Sequence, residues 1–115
     1  MTVPFRIDVA TTEHRHRLVV HGEFDIARIA TFERLAGAVA GRGDAVMVDL
    51  RRSTIVDSSA IGALIRLRRR ITGDDSHMEV VAAPGWQDQL LRQAGVSELL
   101  AVRIEARDSE LEPPT

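Results

Sequence analysis

Ala45-Val46-Met47-Val48-Asp49-Leu50 is a near-continuous apolar run of strand length, and after a short linker comes Asp57-Ser58-Ser59-Ala60-Ile61-Gly62-Ala63-Leu64. The first segment reads as a strand covered on both sides. In the second, Ile61, Leu64, Ile65, Leu67 and Ile71 recur at helical spacing, with Arg66, Arg69 and Arg70 largely between them. A strand therefore feeds an amphipathic helix from about Ser58 to Thr72, and a serine stands at the junction. Its oxygen suits the free N–H groups of the first helical turn, which makes Ser58 the expected cap, while Asp57 just before it also reads plainly as a helix cap or turn residue. Ser59 would fall inside that turn, its hydroxyl more easily tied to backbone groups. The same N–H groups and the helix dipole tolerate an anion, so a phosphate on such a serine is electrostatically acceptable.

Upstream, Phe5, Ile7 and Val9 alternate with Arg6 and Asp8, as in a half-buried strand. Thr11-Thr12-Glu13 reads as a turn, and Arg17-Leu18-Val19-Val20 as the second arm of a hairpin. Gly22 is expected to break that strand. Asp25 suits the cap of a helix with Ile29, Phe32, Leu35, Ala36 and Val39 on its apolar face, ending in Gly41-Arg42-Gly43-Asp44.

Downstream, Gly73-Asp74-Asp75-Ser76 is a break and Met78–Ala82 a strand. Pro84 fits the first turn of a third helix carrying Trp86, Leu90, Leu91 and Ala94. Gly95 is placed to end it, with Val96 folding back on Leu91 in a Schellman turn. Leu99–Ile104 makes a last strand. Strands separated by helical stretches pair in parallel through right-handed crossovers, here after an antiparallel hairpin. The fold class is α/β, a mixed, mostly parallel sheet of about five strands packed against helices. Residues 105–115 read as a short acidic tail with one frayed helical turn at most.

Composition bounds the function. At 115 residues the chain is one domain with a single modest core. A net charge of −2 argues against nucleic-acid binding driven by bulk electrostatics. The absence of cysteine removes disulfides, thiol nucleophiles and cysteine metal sites together. No apolar run approaches the roughly 20 residues that cross a bilayer, and Met1–Arg6 lacks a signal-peptide core. A cytoplasmic protein is the plain expectation.

Three other chemistries fit the residues poorly. A serine hydrolase would need Gly-x-Ser-x-Gly, whereas Ser58 sits in Val56-Asp57-Ser58-Ser59-Ala60; His21 and Asp25 supply triad partners only in principle. His14 and His16 share one strand face, but two ligands do not make a metal site and His77 is distant, so exposed hairpin histidines are expected. Gly41-Arg42-Gly43 lacks the third glycine and follows a helix, so it is no dinucleotide loop, and without lysine no Walker motif exists. Arg66, Arg68, Arg69 and Arg70 read as a solvated helix end that the dipole favours. Trp86 reads as core edge, or as an interface residue if exposed.

Met47-Val48-Asp49-Leu50 followed by Ile55-Val56-Asp57-Ser58-Ser59-Ala60-Ile61-Gly62-Ala63-Leu64 resembles the central segment of the anti-sigma factor antagonists, which belong to the STAS domains. His21-Gly22-Glu23-Phe24-Asp25 is similar to that family's turn into its first helix, and Pro84 with Leu90-Leu91 and Ala94-Gly95-Val96 to its third helix and closing turn. The resemblance spans roughly residues 5 to 104, and it implies a STAS domain over residues 1–104. It also implies a binding protein without catalysis, cofactor or metal of its own, a monomer or weak dimer. The implied partner is an anti-sigma factor that is also an ATPase-type serine kinase using ATP and magnesium; a phosphatase reverses the modification. On this resemblance Ser58 is the phospho-acceptor, and Glu23, Phe24, Asp25, Asp57 and Ser59 face the partner. Ala60 stands where the family usually has glycine, which puts close approach of a kinase backbone in doubt. The family usually has a longer last helix. The alternative it allows is a STAS interaction module of a transport or stress-sensing complex that needs no phosphorylation.

Overall fold

The computed structural model describes residues 3–41, 43–71 and 77–107. The break at Gly73–Ser76, Thr72 and residues 108–115 of the acidic tail lie outside the described residues. The described chain runs β1 (Arg6–Thr12), β2 (Arg15–Phe24), a 3-10 turn (Ile26–Arg28), α1 (Ile29–Ala40), β3 (Ala45–Asp49), β4 (Ser53–Val56), α2 (Ser58–Arg70), β5 (Met78–Ala82), α3 (Trp86–Gln93) and β6 (Val102–Ile104). The sheet order is β1-β2-β3-β5-β6, with β4 pairing β2 off this path. β1 and β2 are antiparallel and every other pair is parallel. The mixed, mostly parallel α/β sheet expected from the sequence is therefore present, with β4 as an additional strand.

The crossovers from β2 to β3, β3 to β5 and β5 to β6 step the same way along the sheet. Right-handed crossovers of that kind stack their helices on one face. The core agrees: Leu18, Val20, Val46, Val48, Met78 and Val80 from the sheet meet Phe32 and Ala36 of α1, Ala60, Leu64 and Leu67 of α2, and Leu91 of α3 in one buried cluster.

Several boundaries depart from the sequence reading. Gly22 does not end β2; the strand continues to Phe24 and shifts register between Gly22 and Glu23 to pair with β4. Gly22 has φ 81°, and a Cβ there would lie 2.7 Å from the carbonyl oxygen of Val3. Glycine is needed at that position both for its backbone angle and for the close passage of the N-terminal chain. Pro84 precedes α3 rather than opening it: Gly85, at φ 94°, is the N-cap and Trp86 the first helical residue. The last strand is shorter than expected, because Ser97–Ala101 forms a turn before Val102. The Schellman ending of α3 is present, with Val96 N–H donating to Leu91 O at 3.2 Å, Gly95 N–H to Arg92 O at 3.0 Å, and Gly95 at φ 71°.

Two polar clusters hold the sheet ends. Asp49 is buried and accepts hydrogen bonds from Arg51 (N at 3.0 Å, Nε at 3.1 Å, Nη2 at 2.9 Å) and from Arg17 Nη2 at 2.7 Å. Burial by itself would raise the Asp49 carboxyl, but the hydrogen bonds from Arg51 and Arg17 outweigh it and hold the group below the usual carboxylate range. Arg51 Nη1 also donates to Ala106 O at 2.6 Å, tying the start of the tail to the β3–β4 connection. Exposed hairpin histidines are the expectation from the sequence, but His16 is buried, with Nε2 2.8 Å from Asp44 Oδ2 and Nδ1 2.9 Å from Thr11 Oγ1. Nor is the arginine run simply a solvated helix end. Arg66 Nε donates to Glu33 Oε1 at 2.7 Å, and the Arg70 guanidinium lies against Gly37, so both bridge α2 to α1.

Candidate functional site

The C-terminal ends of β2 and β4 lie side by side, with Glu23 opposite Ile55 and Phe24 opposite Val56. Each strand then enters a helical turn through an extended aspartate. Asp25, at φ −125° and ψ −176°, accepts from Ala27 N–H at 3.1 Å. Asp57, at φ −103° and ψ −178°, accepts from Ala60 N–H at 3.0 Å. Two capped helical starts thus meet at the carboxyl edge of parallel strands, where open α/β sheets present their binding crevices. Partial positive charge from both first turns converges there, with one carboxylate on each.

Asp57, and not Ser58, is the N-cap. The β-region backbone of Asp57 and its carboxylate reach satisfy the N–H that a serine cap would have taken. Ser58 is displaced to the first helical position and is exposed; Ser59, next in the same turn, is half-buried. The Ser58 hydroxyl is thereby left out of the capping bond. Glu23 is half-buried and Asp25 half-buried at the same edge.

Phe24 belongs elsewhere. It is 0% exposed, with its ring centroid 4.9 Å from that of Phe32 and 6.3 Å from that of Phe5. Its side chain is a core element that sets the two strand ends, so the expectation that it faces a partner is corrected. Ala60 also departs from expectation: its methyl is fully buried beneath α2 and does not stand between Ser58 and an approaching chain. His21 is bonded to Asp8 at 2.9 Å, away from any triad with Asp25. Among the described residues there is no group of three or more His, Cys, Asp or Glu side chains able to hold a metal.

The edge also carries apolar residues that the periodicity did not single out. Ile26 is 75% exposed directly after Asp25, and Ile55 is 46% exposed two residues before Asp57. Ile26 lies three residues ahead of Ile29, so helical spacing alone reads it as part of the apolar face; the 3-10 turn rotates it outward. Gln87 was missed altogether. It is 1% exposed, accepts from Ala83 N–H at 2.8 Å, and donates to Leu50 O at 2.7 Å and Ser53 O at 3.2 Å. A polar residue on the buried side of a short helix, four before Leu91, was the signal available.

Fold and edge together define a small α/β domain with two capped helical turns side by side at one end of its sheet. Residues 7–102 match the family described as Mlab, STAS domain, and the chain belongs to that family. Among solved structures it is similar to an anti-sigma factor antagonist from Mycobacterium paratuberculosis, at 19% identity and a TM-score of 0.80 over 94% of this chain and 92% of that one. It is also similar to a putative anti-sigma factor antagonist from Thermotoga maritima, at 12% identity and a TM-score of 0.68 over 91% of each chain. At these identities the likeness is one of fold. No curated protein matches the chain. No helix among the described residues is long and apolar enough to cross a membrane.

Proposed function

We propose that the chain is an anti-sigma factor antagonist without catalysis of its own. Unphosphorylated, it binds an anti-sigma factor that is also an ATP- and magnesium-dependent serine kinase, and so releases a sigma factor. Phosphorylation of Ser58 ends that interaction, and a phosphatase restores it. The observation that carries this reading is the exposure of Ser58 at the first position of α2, outside the cap that Asp57 forms. A hydroxyl in that position is accessible, and a phosphate there meets the first-turn dipole. Glu23, Asp25, Asp57 and Ser59 form the partner-facing edge around it.

The switch is local charge. A phosphate adds about −1.5 to −2 charges at neutral pH beside the Asp57 carboxylate. Each tenfold loss of affinity needs only about 1.4 kcal/mol, so repulsion and desolvation in a packed interface suffice without refolding.

The test uses a candidate ATPase-type serine kinase that binds the chain, with ATP and magnesium. Wild type and Ser59→Ala each gain one phosphate, whereas Ser58→Ala gains none and still binds the anti-sigma factor. Asp25→Ala, folded, binds it more weakly. Phosphate found only on Ser59 or Thr54 rejects the assignment of Ser58. Absence of any phosphate, together with tight binding to a transport or stress-sensing subunit, selects the constitutive STAS module instead.

A further inference from the structure

The two edges of the sheet are unlike. β6 is three residues long, whereas β1 runs for seven, in unbroken register with β2. The direction of the outer backbone groups of β1 follows from the far side of β2. There Ala45 N–H donates to His14 O at 2.9 Å, so His14 faces β3. Alternation along the strand then turns Arg15, Arg17, Val19 and His21 toward β1, where they oppose Thr12, Ala10, Asp8 and Arg6. The N–H and C=O groups of Ile7, Val9 and Thr11 therefore point out of the sheet, and among the described residues no strand pairs that side. Every residue of β1 except Ile7 is exposed, Val9 by 45%. The strand contains no lysine, proline or bulge, the usual means of blunting an edge. Its two charges are matched within the sheet: Arg6 Nε donates to Asp8 Oδ1 at 3.2 Å, and His21 Nε2 lies 2.9 Å from Asp8 Oδ2.

We propose that β1 pairs antiparallel with β1 of a second copy of the chain, joining the two sheets across a two-fold axis. The strand is its own complement, and it selects one register. Pairing its full length sets Val9 opposite Val9 of the other copy, Ile7 opposite Thr11, Asp8 opposite Ala10 and Arg6 opposite Thr12. No like charges then meet, and the outward groups of Ile7, Val9 and Thr11 face their counterparts as hydrogen-bonded pairs. Registers centred on Asp8 or Ala10 shorten the ladder, and the first sets two aspartates directly against each other, which is unfavourable. Val9 lies opposite the core residue Leu18, so it stands on the face that carries the helices. The pairing thus covers the two exposed valines with each other and continues the apolar layer from one copy into the next. Such a contact uses the same patch on both copies, as a two-fold dimer requires. One strand pair is a small interface, so the dimer is weak and reversible. β1 holds none of the residues around Ser58, and the pairing stands whether or not Ser58 is phosphorylated.

Analytical ultracentrifugation of the full chain, at concentrations raised into the millimolar range, tests it. The dimer fraction is expected to grow with concentration, and Val9→Lys to weaken association about tenfold or more, with thermal melts showing the variant folded. Amide hydrogen exchange reads the pairing directly. Ile7, Val9 and Thr11 gain protection as concentration rises, while Asp8, Ala10 and Thr12 are protected throughout by β2. Because the chain has no cysteine, Val9→Cys reports the position of the axis. Hydrogen-bonded antiparallel partners lie about 5.5 Å apart at Cα, within disulfide reach. Mild oxidation is expected to link Val9→Cys into a covalent dimer and to leave Ala10→Cys unlinked. If Val9→Lys does not fold, the exchange data and the two cysteine variants carry the test. A monomer at every concentration, a dimer indifferent to Val9→Lys, or cross-linking of Ala10→Cys in place of Val9→Cys overturns the proposal. A dimer that forms only after removal of residues 108–115 also overturns it, since the chain's own end would then occupy the edge.

Discussion

The backbone N–H of Asp57 donates to the carbonyl of Phe24 at 3.3 Å. This bond is the last rung between β4 and β2, and it brings both chains off the sheet at one level. Asp25 and Asp57 consequently cap their turns side by side, while the Phe24 ring, buried against Phe32 and Phe5, holds the edge from below.

The division of labour between Asp57 and Ser58 predicts unequal costs. Asp57→Ala removes the cap of α2 and should lower stability by about 1 kcal/mol in urea melts. Ser58→Ala removes only an exposed hydroxyl and should stay within about 0.5 kcal/mol of wild type. A Ser58→Ala loss as large as that of Asp57→Ala would move the cap to the serine.

Gly22 and Gly43 both have positive φ, at 81° and 73°. A Cβ at Gly22 would meet the backbone of Val3, Pro4 and Phe5, whereas one at Gly43 has nothing within 4 Å among the described residues. Gly43→Ala therefore carries only the backbone penalty, about 1 kcal/mol. Gly22→Ala adds overpacking against backbone that cannot easily yield, for a total of about 2–4 kcal/mol. Equal melting temperatures for the two variants would refute the close passage of the N-terminal chain.

Gln87→Leu keeps roughly the same volume but removes the bonds to Ala83 N–H, Leu50 O and Ser53 O, of which Leu50 O keeps the Ser53 N–H. Leaving buried polar groups unsatisfied should cost about 3 kcal/mol. Because the bonds hold the start of α3, the emission of neighbouring Trp86 should shift as well. Unchanged emission with a full loss of stability would detach Trp86 from this anchor.

Asp49, Asp44 and Asp8 are all held below the usual carboxylate range. For Asp44, the His16 hydrogen bond leads and opposes desolvation; for Asp8 and Asp49, bonds from Arg6 and His21, and from Arg51 and Arg17, outweigh desolvation. A folded-state pKa below the unfolded value stabilises the native chain above that unfolded value, near 3.8. The contribution is lost as pH falls through the lower folded value. Melting temperature should therefore hold from neutrality to about pH 5 and drop steeply below about pH 4. Asp49→Asn should melt lower at neutral pH, since the buried Arg51 loses the charge of the Asp49 carboxylate, and its acid slope should be shallower. A parallel acid slope in wild type and Asp49→Asn would exclude Asp49 as a source of the acid sensitivity.

Local patterning was enough to identify the α/β class, the antiparallel opening hairpin and the central strand-to-helix junction, because residues 45–50 and 57–71 carry unmistakable apolar periods. The Schellman ending at Gly95-Val96 was equally legible, since its bonds join near neighbours in the chain. What depends on contacts distant in sequence was not. Whether Asp57 or Ser58 caps α2 rests on the extended angle that pairing with β2 imposes on Asp57. Gly22 reads as a strand end until the N-terminal backbone is seen passing over it. Phe24 looks surface-bound in a polar turn, yet the packing of Phe5 and Phe32 draws it into the core. The strand β4 is too short to show a period of its own, and only the shifted register of β2 makes it one. Sequence period reports which side chains can share a face; which face meets solvent, and which hydroxyl stays free, is decided where segments far apart compete for the same backbone groups.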